Sequence, residues 1–94
     1  MLAKPIVMQN DLDLCLDTSS PLYEAARADI EPFSTLKCAL SPLHFYHLDQ
    51  HKLSKVARIG LEAIDVIEIL ERYSRFDIPQ STRFIIHDAM ERRK

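Results

Sequence analysis

The chain is short of glycine and cysteine: 94 residues contain one glycine, two cysteines and no tryptophan. With Gly60 as its only glycine, it cannot form a glycine-rich phosphate loop, and no Gly-Lys-Ser/Thr sequence occurs. Cys15 and Cys38 lie far apart and outside any Cys-x-x-Cys unit, which favours a reducing compartment over a disulfide framework. No apolar run approaches the roughly 18 residues of a membrane span. We therefore predict a soluble cytoplasmic protein, or a nuclear one in a eukaryote.

An excess of charge of one sign is also lacking. The net charge of −2 and the pI of about 6.0 give no strong attraction to nucleic acid or to an anionic membrane. With 47% hydrophobic and 28% charged residues, the composition is that of one small globular domain. The sequence stops on basic residues directly after a helical pattern, so we expect residues 1–94 to be one domain of a longer protein.

Four stretches have the pattern of β-strands. Residues 5–9 and 12–17 flank Asn10-Asp11, and leucine alternates with other residues in the second stretch, which predicts a hairpin with a two-residue turn. Residues 33–40 alternate with Leu36, Cys38 and Leu40 on one side. The next stretch places His44, Tyr46 and Leu48 on one face.

Helical patterns fill the rest of the chain. Ser20-Pro21 is typical of a helix start, and Pro32 ends that helix. Asp49 is placed to cap a second helix, over residues 50–59, which ends at Gly60. Two more helices follow over residues 62–74 and 80–92, the former with Ile64, Ile67, Leu70 and Tyr73 on its inner stripe. We predict a single α+β domain, with a small antiparallel sheet in the order β-β-α-β-β followed by a three-helix bundle resembling a helix-turn-helix.

No residue cluster indicates catalysis or metal binding. His44, His47 and His51 lie close in sequence, but odd spacing on a strand sends the first two to opposite faces. A cysteine nucleophile would need a histidine that meets it only in space, and each cysteine also fits its strand as a small packing residue. The carboxylates are typical of solvated helix faces. We predict no catalytic, cofactor-binding or metal-binding residue.

The best candidate contact surface for DNA or a protein partner is basic. It consists of Lys52, Lys55 and Arg58, joined by Arg72 and Arg75. The alternative interpretation is a solvated helix face paired with acidic neighbours. A helix-turn-helix that used residues 62–74 for recognition would present four carboxylates to the phosphates, whereas a winged-helix variant would use residues 80–83 instead.

Residues 44–81, HFYHLDQHKLSKVARIGLEAIDVIEILERYSRFDIPQS, resemble the N-terminal domain of XPB-type DNA repair helicases. The His-x-Tyr-x-Leu run, the helix ending in Gly60-Leu61 and the Ile78-Pro79 restart carry the resemblance. Residues 5–33, PIVMQNDLDLCLDTSSPLYEAARADIEPF, resemble the opening hairpin and helix of the same domain. Asp49 stands where relatives often have threonine, and either residue caps a helix.

The resemblance implies a parent that is an ATP-dependent superfamily 2 DNA helicase acting in nucleotide excision repair and, in eukaryotes, in promoter opening within TFIIH. It implies that ATP and Mg²⁺ bind to the motor of that parent, whose motifs match no position here. It further implies a docking module whose partner is a TFIIH subunit in eukaryotes, or the motor domains themselves. Three hypotheses stay open, namely a protein-interaction module, a direct DNA-contact module and a free-standing small domain with no helicase attached.

Overall fold

The computed structural model describes residues 4–91. Its elements follow the order β-β-α-β-β-α-α-α, which confirms the predicted α+β class. They are β1 (Ile6–Met8), β2 (Asp13–Asp17), α1 (Tyr23–Ile30), β3 (Ser34–Leu40), β4 (Leu43–Leu48), α2 (Gln50–Arg58), α3 (Ala63–Tyr73) and α4 (Gln80–Glu91), with a short 3₁₀ turn at Glu31–Phe33.

The four strands form one antiparallel sheet in the spatial order β1-β2-β4-β3. The helices pack on one face of it, where leucines of β2 and the aromatic and leucine residues of β4 join a single core with residues of all four helices. Its members include Leu14, Leu16, Tyr46, Leu48, Ile30, Leu53, Leu70 and Ile86. The alternation predicted for β2 and β4 is thus confirmed, and β1 and β3 are the two edges of the sheet.

The predicted two-residue turn of the first hairpin is wrong. β1 ends at Met8 and β2 begins at Asp13, so the connection is longer, and within the described residues no non-glycine residue has a positive φ. The Asn10 side chain organises it, because its Oδ1 accepts hydrogen bonds from the backbone N–H groups of Leu12 and Asp13 at 3.0 and 2.9 Å.

The predicted alternation of β3 is also wrong. The register shifts between Leu36 and Cys38, where β3 has one residue more than β4. Leu36 lies opposite Tyr46 whereas Cys38 lies opposite Phe45, so the two β3 side chains occupy opposite faces of the sheet. A strict period of two could not reveal this bulge.

The predicted start of α1 at Ser20-Pro21 is wrong, because the helix begins at Tyr23 with Leu22 at its N-cap and no side-chain capping hydrogen bond within residues 4–91. The predicted ends of α2 are confirmed. Asp49 caps α2, with its Oδ1 accepting from the backbone N–H groups of His51 and Lys52 at 2.9 and 3.2 Å. Gly60 has a φ of 109°, the positive range that the end of this helix requires. One prediction for α3 is wrong, because Ile64 is 48% exposed and Ala63 and Val66 take the inner positions.

No helix within residues 4–91 has the length and the apolar character needed to cross a bilayer.

Candidate interaction surfaces

The five basic residues singled out in the sequence do not form one surface. Lys52 lies at the end of β4 that carries Leu48, since it bonds to Ser34, the partner of Leu48. Arg75 lies at the other end, because it bonds to Asp17, the partner of Leu43. Five residue steps along β4 separate these ends by about 17 Å.

Lys52 is tied to the backbone of the sheet. Its Nζ donates a hydrogen bond to the Ser34 carbonyl at 2.7 Å, and its side chain is half-buried. This bond satisfies the first outward-facing carbonyl of β3. The ammonium group is thus already engaged at the start of the strand.

Arg75 holds the opposite edge of the sheet. Its Nε donates to the Lys4 carbonyl at 2.6 Å, and its backbone N–H donates to the Ile6 carbonyl at 3.0 Å. Its Nη2 bonds to Asp17 Oδ2 at 3.0 Å. Hydrogen bonds from Ser19, together with the nearby guanidinium, lower the pKa of Asp17. Arg75 therefore closes the β1 edge.

Arg72 is also paired. Its Nη1 lies 3.7 Å from Asp29 Oδ2, an oxygen that accepts a hydrogen bond from the Tyr73 hydroxyl at 2.7 Å. The bond to the Asp29 carboxylate, assisted by burial, raises the pKa of Tyr73. This arrangement joins α1 to α3.

Lys55 and Arg58 are the remaining two members of the set. Both are exposed on α2, one turn apart, and neither forms a salt bridge with another residue in the 4–91 range. The candidate basic surface thus shrinks from five residues to these two.

The histidines do not converge. Within residues 4–91, no group of three or more His, Cys, Asp or Glu side chains is placed to hold a metal ion. The His44 ring packs edge-on against Tyr23 with centroids 5.8 Å apart, on the helix-bearing face. His47 lies on the opposite face and bonds Asp13, whereas His51 is exposed at the start of α2.

The cysteines are separated as well. Phe45 on β4 pairs with Cys15 on β2 at one side and with Cys38 on β3 at the other. Two strand spacings, roughly 10 Å, therefore separate the backbones of the two cysteines. That spacing exceeds the reach of a disulfide, and both thiols are free. Burial raises the pKa of the Cys15 thiol, which disfavours the nucleophilic thiolate.

One charged cluster on the outer face links three strands. Asp13 on β2 accepts from His47 on β4 at 2.7 Å and lies 3.4 Å from the Lys37 ammonium on β3. The hydrogen bond with His47, with help from Asn10, lowers the pKa of Asp13 to about 2. No local pattern in the sequence predicts this cluster, because the three residues are distant along the chain.

The β3–β4 hairpin exposes apolar side chains on both faces of the sheet, with Leu36 on the Tyr46 face and Leu40 and Leu43 on the Phe45 face. Residues 35–40 are all exposed, although β3 is the longest strand. Leu36 is 46% exposed, Leu40 60% and Leu43 37%. Folded domains usually shield an edge strand with short length, charge or a covering segment, and residues 35–40 of β3 have no covering segment within residues 4–91.

The sequence comparisons identify the family. Residues 6–93 match the family described as the helicase conserved C-terminal domain. The chain is 34% identical over 88 residues to the DNA 3'-5' helicase XPB of Mycobacterium tuberculosis and 31% identical over 88 residues to that of Kineococcus radiotolerans. Each alignment covers 94% of this chain and 16% of the relative.

A plant protein is also similar. The general transcription and DNA repair factor IIH helicase/translocase subunit XPB1 of Arabidopsis thaliana is 29% identical over 84 residues, which are 89% of this chain and 11% of the relative. The chain thus spans only a small part of the curated relatives that it matches. Since the family match extends over nearly all of its residues, the chain belongs to the helicase conserved C-terminal domain family.

Proposed function

We propose that residues 1–94 form a non-catalytic accessory domain in the N-terminal part of an XPB-type, ATP-dependent DNA helicase, where the domain docks a protein partner or the motor domains. The exposed apolar β3–β4 hairpin is the observation that carries the docking role. Such a surface is costly to leave in water and is a common mark of a protein interface. Its leucines are Leu36, Leu40 and Leu43.

The accessory role is supported by the chemistry of the chain. A phosphate loop needs several glycines, and this sequence has one. The bacterial relatives are named as DNA 3'-5' helicases and are about six times longer than the aligned region, which leaves room for a motor that binds ATP and Mg²⁺ elsewhere. The N-terminal placement follows the resemblance of residues 5–33 to the opening hairpin and helix of that domain.

The gene sequence beyond residue 94 provides the first test. We expect it to continue into a helicase motor with a Gly-Lys-Thr phosphate loop, and a stop codon directly after Lys94 would contradict the proposal. The purified chain should not hydrolyse ATP. In the parent protein, deletion of residues 1–94 should leave the DNA-stimulated ATPase of the motor active while partner proteins no longer co-purify. Retained assembly without the domain would refute the docking role.

The second candidate function is direct contact with DNA through Lys55 and Arg58. Its support is that both side chains are exposed and lack a salt bridge in the described part of the chain. We expect any binding of duplex DNA to weaken with salt, and the double variant Lys55→Gln/Arg58→Gln should lower the slope of log K against log [salt] by about 2. Arg72→Gln is the control, since Asp29 already pairs that cation. No binding at low salt would exclude this role.

A further inference from the structure

We propose that the open edge of β3 binds an extended segment of another protein as a fifth strand of the sheet. This inference rests on the proposed docking function and names the form of the partner. Strand addition requires free backbone donors and acceptors along an edge, together with sites for alternate side chains of the added strand. The β3 edge offers both.

The free backbone groups of β3 can be located from the alternation of hydrogen-bonded and non-hydrogen-bonded residue pairs along the sheet. The Asp49 N–H donates to the Phe33 carbonyl at 3.0 Å, and the Leu48 N–H donates to the Leu12 carbonyl at 2.7 Å. Ser34 and Leu48 are therefore a non-hydrogen-bonded pair, whose backbone groups point away from each other.

The same alternation, carried across the bulge, applies to two later residues. Leu36 lies opposite Tyr46 and Ala39 opposite His44, and these β4 residues direct their backbone groups to β2. Leu36 and Ala39 therefore direct their amide and carbonyl groups to the open edge. No hydrogen bond within residues 4–91 reaches them there, whereas the Ser34 carbonyl accepts from Lys52.

Two concavities border this strand. One, of about 360 Å³, is lined by Lys37, Cys38 and Phe45 together with Gln9 and Asp13. The other, of about 280 Å³, is lined by Ser34, Thr35 and Leu36 together with Glu31 and Lys52. An added strand sends successive side chains to opposite faces of a sheet, so its alternate side chains would lie beside these two sites.

A second copy of this chain fits the edge poorly. Symmetric antiparallel pairing of two β3 strands about their midpoint brings both Lys37 side chains to the two-fold axis, where like charges repel. Lysine in an edge strand protects it against self-association, and Lys37 leaves Leu36 and Ala39 free for a different strand.

The chemistry of the edge defines the occupant. It is an extended segment of about six residues without proline, with aliphatic side chains at the positions that meet Leu36 and Leu40. A carboxylate opposite Lys37 suits the ammonium group, whose present distance to Asp13 is 3.4 Å. The occupant is thus a protein strand, not nucleic acid.

The test uses the 94-residue chain and a library of random heptapeptides displayed on phage. We expect selection of proline-free peptides with aliphatic residues at the positions that meet Leu36 and Leu40 and an Asp or Glu between them. Ala39→Pro removes the outward amide and leaves the bonds to β4 in place, so it should weaken the binding of a selected, synthesised peptide at least tenfold. Ala39→Val is the matched control, because valine favours a strand and keeps the amide, and it should bind within twofold of the unaltered chain.

Circular dichroism and thermal melting establish that both variants are folded, and Leu36→Pro replaces Ala39→Pro if the latter does not fold. Equal peptide affinity for Ala39→Pro and Ala39→Val, selection of peptides without two aliphatic residues flanking a carboxylate, or dimerisation of the chain that Ala39→Pro abolishes would each overturn the inference. The parent protein separates the two proposals. If removal of residues 1–94 abolishes partner assembly but Ala39→Pro does not, the docking function stands and only the fifth-strand inference fails.

Discussion

The two edges of the sheet are treated in opposite ways. β1 is three residues long. The outward carbonyl of Ile6 accepts a hydrogen bond from the Arg75 backbone N–H, and Arg75 Nε donates to the Lys4 carbonyl. A bridge between Ile6 and Ser74 lies at the same edge. β3 is seven residues long, and only its first outward carbonyl, that of Ser34, is taken. The domain therefore closes one edge with its own chain and leaves the other for pairing.

This difference changes the interpretation of the basic residues. Arg75 and Lys52 bond to backbone carbonyls at the sheet edges, so their charge serves the fold first. A count of cations along the sequence cannot separate such residues from Lys55 and Arg58, which are exposed.

The closed edge should be far more sensitive to truncation. Ile6 is fully buried in the core, so Ile6→Ala should lower the free energy of unfolding by about 3 kcal/mol. Leu40→Ala on the open edge should change it by no more than about 0.5 kcal/mol. Urea denaturation of both variants measures the contrast. Similar losses would mean that Leu40 is packed in solution.

Arg75 should matter for stability more than any exposed cation. Arg75→Ala removes one hydrogen bond to the Lys4 carbonyl and one to the Asp17 carboxylate. It should lower the free energy of unfolding by about 1.5 kcal/mol. Arg58→Ala, the matched control, should be neutral within about 0.5 kcal/mol. Thermal unfolding distinguishes them, and a neutral Arg75→Ala would contradict its role at the β1 edge.

The charged cluster that anchors β3 to the sheet should give a pH dependence. The pKa of Asp13 is about 2 in the folded chain and near 3.8 when unfolded, so its contribution is full above pH 3.8 and is lost as the pH falls towards 2. Solvent screening leaves about 1 kcal/mol of this contribution. The stability difference between the unaltered chain and Asp13→Asn should therefore shrink from pH 5 to pH 2. A constant difference would show that the cluster does not hold in solution.

Hydrogen exchange should resolve the open edge without any mutation. The amides of Leu36 and Ala39 point outward and should exchange almost as fast as in an unfolded peptide. The Thr35 amide points to β4, so it should exchange at least about 100-fold more slowly than those two amides. Nuclear magnetic resonance reads each amide separately. Strong protection of the Ala39 amide against exchange would mean that this amide does not point to the open edge.

Much of the fold could be predicted because its signals are local. The Asp49 cap, the end of α2 at Gly60 and the leucine alternation of β2 each depend on neighbours within a few residues. The bulge in β3 and the exposure of Ile64 could not be predicted, since both depend on which strand or helix lies alongside. For the candidate surfaces, the sequence named the basic residues but not their carbonyl partners, which lie up to 71 positions away.

The sequence by itself determined the element order, the α+β class and the resemblance to a helicase family, because periodicity, capping and motif order are properties of the chain. Only the tertiary structure decided that β1 is closed, that β3 is open and that five cations separate into edge caps, a paired arginine and two free side chains within residues 4–91. The reason is physical: a hydrogen bond joins whichever groups the fold brings within about 3 Å, and separation along the chain does not specify that distance.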